Sequence, residues 1–153
     1  MAIYLVQHAE CLPKDQDPEK GLSDLGFANA TRIAEVAAGY KVPVARILHS
    51  GKKRARQTAA IFAEFLNPPE GISEAEGMQP LDDVARFGDQ LDSSTGTMVV
   101  GHLPFMEKLA AYLITGIPDK PVFKFQNAGI VCLDIPADGT SWVIRWALMP
   151  NIG

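Results

Sequence analysis

Two histidines in this chain each directly follow a short apolar segment with the character of a β-strand. His8 follows residues 2–7, His102 follows residues 97–101, and Arg54 comes a few residues after a third such segment. If the three strands are parallel, their carboxyl ends lie at one edge of the sheet, where open α/β sheets bind ligands. Antiparallel pairing would separate the three residues. Because a neutral imidazole is a nucleophile and a guanidinium binds phosphoryl oxygens, these residues predict a site for chemistry at phosphorus.

The length and composition are those of an ordinary globular protein. The 153 residues predict one domain, residues 1–153, with a substantial core. Hydrophobic residues make up 47% of the chain and charged residues 21%, and the formal net charge of −4 argues against extensive nucleic-acid binding. The cations between Lys52 and Arg56 can still attract a phosphate group at short range, although on charge alone a solvated helix face is the better explanation for them.

Cysteines and apolar segments indicate the cellular setting. Cys11 and Cys132 do not form a disulfide framework, and we expect two free thiols in a reducing compartment. The apolar N-terminus is too short for a signal peptide and lacks a basic region before it. No apolar run approaches the roughly 18 residues that suggest a membrane span. We therefore expect a cytoplasmic protein that has no contact with membranes.

Strand-like and helix-like segments alternate along most of the chain. This order predicts a three-layer α/β/α fold with a mostly parallel central sheet and helices on both faces. Ser23 is a plausible N-cap for the first helix. Pro80 could occupy the first position of the third helix, which would place Asp82 and Asp83 in its first turn. The C-terminal segments, residues 122–135 and 142–148, predict a β-hairpin.

Two smaller expectations follow from single residues. The spacing of Trp142 and Trp146 indicates that both side chains lie on one face of the last strand. His49 directly precedes Ser50 and is expected to have a structural role.

Four segments carry the motifs of one enzyme family in that family's order: residues 7–10 (Gln-His-Ala-Glu), 22–30, 50–59 and 101–104 (Gly-His-Leu-Pro). They resemble the Arg-His-Gly signature, the first helix start, the Ser-Pro-x-x-Arg-Ala-x-Gln-Thr element and the second histidine motif of the histidine phosphatase superfamily. The fold that this resemblance implies is the phosphoglycerate mutase-like one. The compact length and the His-Leu-Pro sequence are most similar to the SixA-type branch, the phosphohistidine phosphatases.

The resemblance assigns roles to the residues at the strand ends. His8 would be the nucleophile that forms a covalent phosphohistidine, which water then hydrolyses. Arg54 would bind the phosphoryl oxygens, together with Gln7, and His102 would stabilise them as a cation or as a hydrogen-bond donor. No metal and no cofactor is expected, because protein cations take the place of a metal ion.

The acid that protonates the leaving group is less well defined. Asp82 and Asp83 lie where many members of the family have an acidic residue, and Asp83 aligns better with the SixA-type pattern. First-turn helix charges are an equally good explanation for both. Glu10 is a third candidate, although a solvated loop residue is the simpler interpretation. A phosphohistidine leaving group can carry its own proton, so a dedicated acid is not required.

Three positions depart from the family pattern: Gln7 replaces arginine, Ala9 replaces glycine and Gly51 replaces proline. Loss of one charge-assisted hydrogen bond costs roughly 1–3 kcal/mol of transition-state binding. Ala9 would be strained if its φ were positive, and Gly51 would loosen the turn before the arginine. Lys52 or Lys53 could replace the missing charge if either side chain bends into the site.

The sequence therefore predicts a hydrolase that removes the phosphoryl group from a protein phosphohistidine, as in a phosphorelay. The expected partners are a phosphorylated protein domain and the phosphate anion. Two alternatives remain open. One is a phosphatase for a small phosphorylated molecule, and the other is a phosphate-binding module that has lost turnover because of Gln7.

Overall fold

A computed structural model describes residues 2–152. Ten elements follow one another as β1 (Ile3–Gln7), α1 (Asp24–Gly39), β2 (Arg46–His49), α2 (Lys53–Leu66), β3 (Ile72–Glu74), α3 (Val84–Gly88), β4 (Thr97–Gly101), α4 (Phe105–Thr115), β5 (Ile130–Asp134) and β6 (Val143–Leu148). The six strands form one sheet in the order β3-β2-β4-β1-β5-β6. The first four of these pair in parallel, whereas β5 and β6 are antiparallel to their neighbours. The predicted α/β fold with a mostly parallel sheet is confirmed.

Two apolar cores cover the two faces of the sheet. Side chains alternate between the faces along β1, so Tyr4 and Val6 pack with α1 and α2, while Ile3 and Leu5 pack with α3 and α4. This alternation separates the helices into two outer layers. The central strands are buried on both sides, which explains why their sequences are continuously apolar.

The predicted helix start is correct for α1 and wrong for α3. The Ser23 hydroxyl accepts a hydrogen bond of 3.0 Å from the Gly26 amide, so the predicted N-cap is confirmed. By contrast, α3 begins four residues later than the position predicted from Pro80, and Asp83 is its N-cap. The predicted start was wrong because the Asp83 side chain accepts a hydrogen bond from a first-turn amide and so fixes the helix start there. Pro80 lies in the turn before the helix.

The C-terminal hairpin is confirmed, but its two tryptophans do not share a face. Trp146 packs on the same core as α1 and α2, and Trp142 packs on the opposite one. The cause is an irregularity in the pairing of β5 with β6, where Cys132 is opposite Trp146 but the next residue, Leu133, is opposite Ile144. An extra residue in one strand reverses the face on which later side chains lie.

Other sequence expectations concern single residue types. Both Cys11 and Cys132 are free thiols, as predicted. Among residues 2–152, no helix is long and apolar enough to cross a membrane, and no three potential metal-binding side chains are grouped to hold an ion.

Candidate active site

The parallel pairing of β1 with β4 places the two predicted histidines side by side. In this pairing Gln7 is opposite Gly101, so the next residues, His8 and His102, leave the sheet together at its carboxyl edge. Their ring centroids are 5.1 Å apart and the rings are inclined by 51°. The condition on which the sequence argument depended, parallel strands, is therefore met by the structure.

Three hydrogen bonds fix the backbone and ring of His8. Its amide donates to the Gly101 carbonyl (2.9 Å), and its carbonyl accepts from the Asn127 side chain (2.8 Å). Its Nδ1 lies 2.7 Å from the carbonyl oxygen of Ala9. Because a carbonyl can only accept, Nδ1 carries the proton and the lone pair is on Nε2.

The ionisation of His8 agrees with a role as a nucleophile. The pKa of the imidazole is lowered from 6.5 to about 4, chiefly by burial and with contributions from the charges of Arg54 and Lys20, against the opposing effect of the bond to Ala9. The ring is therefore neutral at physiological pH. A neutral imidazole with a free Nε2 is the form that attacks phosphorus.

His102 is almost completely buried (2% exposed) and is oriented by Ser50. The Ser50 hydroxyl oxygen lies 2.5 Å from Nε2 of His102 and also accepts a long hydrogen bond (3.4 Å) from the Lys52 amide. A hydroxyl that accepts from an amide can donate its own proton to Nε2, which leaves the ring proton on Nδ1. That Nδ1 is buried and has no partner within the described residues. Within the described residues, this nitrogen therefore keeps an unused hydrogen bond.

The pKa of His102 is also low. Burial, and next the charges of His8 and Arg54, lower it from 6.5 to about 3. With so low a pKa the ring is neutral at physiological pH, and a neutral ring can fill only the second of the two roles left open by the sequence, that of hydrogen-bond donor.

Arg54 lies in the first turn of α2 and lines a cleft of about 530 Å³, which we call the basic cleft. The charge of Arg54 lowers the pKa of both histidines. Within the described residues the guanidinium has no carboxylate partner. The basic cleft has a single lining carboxylate, Glu19, and six lining cations: Lys14, Lys20, Lys52, Lys53, Arg54 and Arg56. An anion at this position would meet a strongly positive field and the N-terminal end of a helix.

Polar residues that follow Arg54 in α2 hold the surrounding loops. The Thr58 hydroxyl accepts from the Ala9 amide (2.9 Å) and donates to the Arg54 carbonyl (2.8 Å). The Gln57 side chain accepts from the Leu22 amide (2.8 Å). These bonds connect the arginine helix both to the segment after His8 and to the loop that precedes α1.

Gln7 and Ala9 have different consequences in the structure. The Gln7 side-chain oxygen is buried without a hydrogen-bond partner within the described residues, so this position brings no charge and one unsatisfied atom. Ala9 is fully buried against Leu22, Ala30 and Ala128 and does not have a positive φ, so the strain considered for it is absent.

Gly51 is required by the turn rather than merely tolerated. Its φ is +88°, which proline cannot adopt, and a Cβ at this position would collide with the Glu74 carboxylate. The turn before Arg54 therefore follows a different path from one built on proline.

The two lysines considered as replacements for the missing charge are not equivalent. Lys53 forms an ion pair with Asp17 (2.8 Å), so its charge is already compensated. Lys52 contributes to lowering the pKa of His102. Lys20, which the sequence argument did not consider, contributes to lowering the pKa of both histidines.

The structure does not place the three candidate acids with the histidines. Asp83 is exposed and caps α3 by accepting from the Ala85 amide (3.0 Å), and Asp82 accepts from the Gln79 amide (2.8 Å). Glu10 is exposed and accepts from the Ser23 hydroxyl (2.9 Å). Asp82 and Asp83 line a depression together with Arg86, and neither histidine lines it. Asp83 thus stabilises the start of α3 as its N-cap, rather than as the first-turn charge that the sequence offered as the alternative.

His49, the third histidine, lies outside this group. It is buried, burial lowers its pKa, and its Nδ1 accepts from the Gly51 amide (3.0 Å). It therefore stabilises the turn before Arg54, in agreement with the structural role expected for it.

Sequence reasoning missed three contributors to the site. Ser50 was visible as the first residue of a motif, but its bond to His102 crosses 52 positions. Asn127 and Lys20 had no local signal, because each comes to the site through a loop whose path depends on tertiary contacts.

The sequence is similar to those of known phosphatases. Residues 3–82 match the histidine phosphatase superfamily (branch 1). The phosphohistidine phosphatase SixA of Escherichia coli (strain K12) is 27% identical over 156 residues, which cover 98% of this chain and 94% of that protein.

Two solved structures show the same fold. The protein histidine phosphatase SixA complexed with tungstate has a TM-score of 0.80 at 24% identity, covering 98% of this chain and 97% of that one. A mycobacterial glucosyl-3-phosphoglycerate phosphatase complexed with VO3 has a TM-score of 0.72 at 15% identity, covering 97% and 99%. With the family match extending over more than half of its length, the chain belongs to the histidine phosphatase superfamily.

Proposed function

We propose that this protein is a phosphatase that hydrolyses the phosphoryl group of a protein phosphohistidine through a covalent intermediate on His8. One observation carries the proposal. His8 is a neutral imidazole with a lone pair on Nε2, and its ring centroid is 5.1 Å from that of His102, which is also neutral. The charge of Arg54 acts on both rings and lowers the pKa of each.

In the first step, Nε2 of His8 attacks phosphorus. A bond forms between Nε2 and phosphorus as the bond from phosphorus to the substrate nitrogen breaks. Arg54 binds the phosphoryl oxygens, and Nδ1–H of His102 donates to them as the group moves between the two nitrogens. The Ala9 carbonyl, which accepts from Nδ1 of His8, stabilises the positive charge that develops on the ring.

In the second step, water attacks the phosphorus of the intermediate. The bond from phosphorus to Nε2 breaks, the electrons return to the ring as its lone pair, and both protons of the water leave with inorganic phosphate. His8 is again neutral, still protonated on Nδ1, and ready for another cycle.

The charges around the site favour a phosphohistidine as substrate. A phosphohistidine protonated on its second ring nitrogen leaves as neutral imidazole, so no acid has to supply a proton. An alkyl phosphate leaves as an alkoxide and needs one. The charges that act on the two imidazoles are cationic, and Asp83 is engaged as a helix cap. The name of the Escherichia coli relative supports the same substrate class.

A small phosphorylated molecule is the second candidate substrate. The basic cleft supports it, because its unpaired cations could bind further anionic groups of a metabolite. The fold also occurs in a glucosyl-3-phosphoglycerate phosphatase. The third candidate is a phosphate-binding module without turnover, which is supported by the uncharged Gln7.

Turnover of two substrates tests these candidates. The purified protein and a His8→Ala variant are each mixed with a domain that carries phosphohistidine and with a generic phosphomonoester. We expect release of phosphate from the domain by the wild type and none by the variant. Faster release from the phosphomonoester would favour a small substrate. Equal inactivity of both proteins, with phosphate still bound, would favour the binding module.

A further inference from the structure

The site has a deficit of positive charge at the end of β1. Gln7 is neutral, its side-chain oxygen is buried without a hydrogen bond within the described residues, and its backbone carbonyl is already bonded to the Ala128 amide. A doubly charged phosphoryl group at this place would therefore depend on cations contributed by other segments.

The loop between β1 and α1 is folded back so that one lysine has a fixed backbone position. The Leu12 amide donates to the Gly21 carbonyl (2.8 Å), and Cys11 pairs with Leu22. The Asp17 carboxylate accepts from the Gly21 amide (2.8 Å). Lys20 lies inside this folded-back segment, residues 11–22, which we call the clasp.

The conformation of Lys20 itself is unusual. Its φ is +53°, a left-handed conformation that residues other than glycine rarely adopt. The same clasp is tied to α2 by the hydrogen bond that the Leu22 amide donates to the Gln57 side chain and by the ion pair of Lys53 with Asp17. The backbone of Lys20 is thus held against the helix that carries Arg54.

The side chain of Lys20 lines the basic cleft together with Arg54. Unlike Lys53, it forms no ion pair within residues 2–152. The positive charges of Lys20 and Arg54 both lower the pKa of His8 and the pKa of His102, whereas the charge of Lys52 acts on His102 alone. Lys20 and Arg54 are therefore the two cations whose charges act on both imidazoles.

We propose that the ammonium group of Lys20 binds the phosphoryl group from the side of the loop and supplies the positive charge that Gln7 does not. The assignment rests on the proposed function in that it concerns the same phosphoryl site. It makes Lys20 a specificity-determining residue for doubly charged anions, acting beside Arg54.

Binding of tungstate to the full chain tests this role without requiring turnover. Titration calorimetry compares the wild type, Lys20→Met and Lys41→Met. Methionine keeps most of the aliphatic side chain and removes the charge. Lys41 is a matched control because it also has a positive φ (57°) and is exposed beyond the end of α1. We expect Lys20→Met to weaken tungstate binding roughly tenfold and Lys41→Met to leave it unchanged.

A second substitution tests the relation to Gln7. In the Lys20→Met background, Gln7→Arg returns a cation to the site, so we expect tungstate affinity to recover by a factor similar to the one lost. In the wild type the same change should gain much less. Equal affinities of Lys20→Met and Lys41→Met, or no recovery with Gln7→Arg, would overturn the proposal.

The two proposals fail in different ways. If the protein does not hydrolyse phosphohistidine but Lys20→Met still weakens tungstate binding, the proposed function is wrong and the role of Lys20 stands. If turnover occurs and the tungstate affinity of Lys20→Met equals that of the control, the proposed function stands and the role of Lys20 is wrong.

Discussion

Ser50→Ala removes the hydroxyl that orients His102. Both side chains are buried, with 3% and 2% of their surfaces exposed, and the oxygen is 2.5 Å from Nε2. Loss of the hydroxyl leaves a buried ring nitrogen without its donor, which costs about 1–3 kcal/mol. It also removes the bond that keeps the ring proton on Nδ1. If this energy is expressed in the transition state, kcat falls roughly 5- to 150-fold.

The assay measures kcat and KM for release of phosphate from a phosphohistidine domain. Ser141→Ala is the matched control, because Ser141 is exposed in the turn before β6. Ser50→Thr keeps a hydroxyl and should recover much of the rate. A nitrogen NMR spectrum of the ring should show His102 protonated on Nδ1 in the wild type and a mixture of tautomers in Ser50→Ala.

Two results would refute the role of Ser50. One is a kcat for Ser50→Ala within about twofold of the Ser141→Ala value, since a lost orienting bond must cost more. The other is an unchanged tautomer in the NMR spectrum despite the loss of the hydroxyl, which would show that other contacts orient the ring.

Four further predictions concern the ionisation of the histidines, the pH dependence of stability, the hydrogen bond of Thr58 and the acid. Burial holds the pKa of His8 near 4 and that of His102 near 3. NMR titration should therefore show both rings still neutral at pH values where an exposed histidine is largely protonated. A titration midpoint near 6.5 for either ring would contradict this. The unfolded chain binds these protons and the folded chain does not, so the free energy of unfolding should fall as the pH decreases from about 6.5 towards 4 and stay constant above that range, as followed by urea denaturation. Thr58→Val preserves the shape but removes the bond to the Ala9 amide, and we expect a loss of about 1–3 kcal/mol in the free energy of unfolding; an unchanged denaturation midpoint would show that this link has no energetic role. Asp83→Asn keeps an N-cap and should retain kcat on phosphohistidine, whereas a loss of roughly a hundredfold would return Asp83 to the role of general acid.

Sequence patterns predicted the parts of the fold that depend on local chemistry. β4 begins and ends where its apolar run does, and Ser23 caps α1 as its residue type indicates. His8 and His102 could be placed together because one condition, parallel pairing of their strands, was enough to bring them to the same edge.

The remaining features depend on contacts between distant segments. β3 has three exposed residues and exists as a strand only because it pairs with β2. The irregularity that separates Trp142 from Trp146 lies in the pairing of β5 and β6, which no spacing within β6 reveals. Lys20 and Lys53 are both lysines near the site, and only the position of Asp17 decides which of them is already paired.

The central claim is that His8 carries the phosphoryl group during the reaction. Its most direct test is a rapid acid-free quench of the protein mixed with a radiolabelled phosphohistidine domain, followed by mass spectrometry of the labelled peptides. The account predicts a transient phosphoryl group on His8 that disappears as phosphate is released, and no labelled enzyme with His8→Ala. Hydrolysis by His8→Ala at the wild-type rate, or a label on another residue, would contradict it.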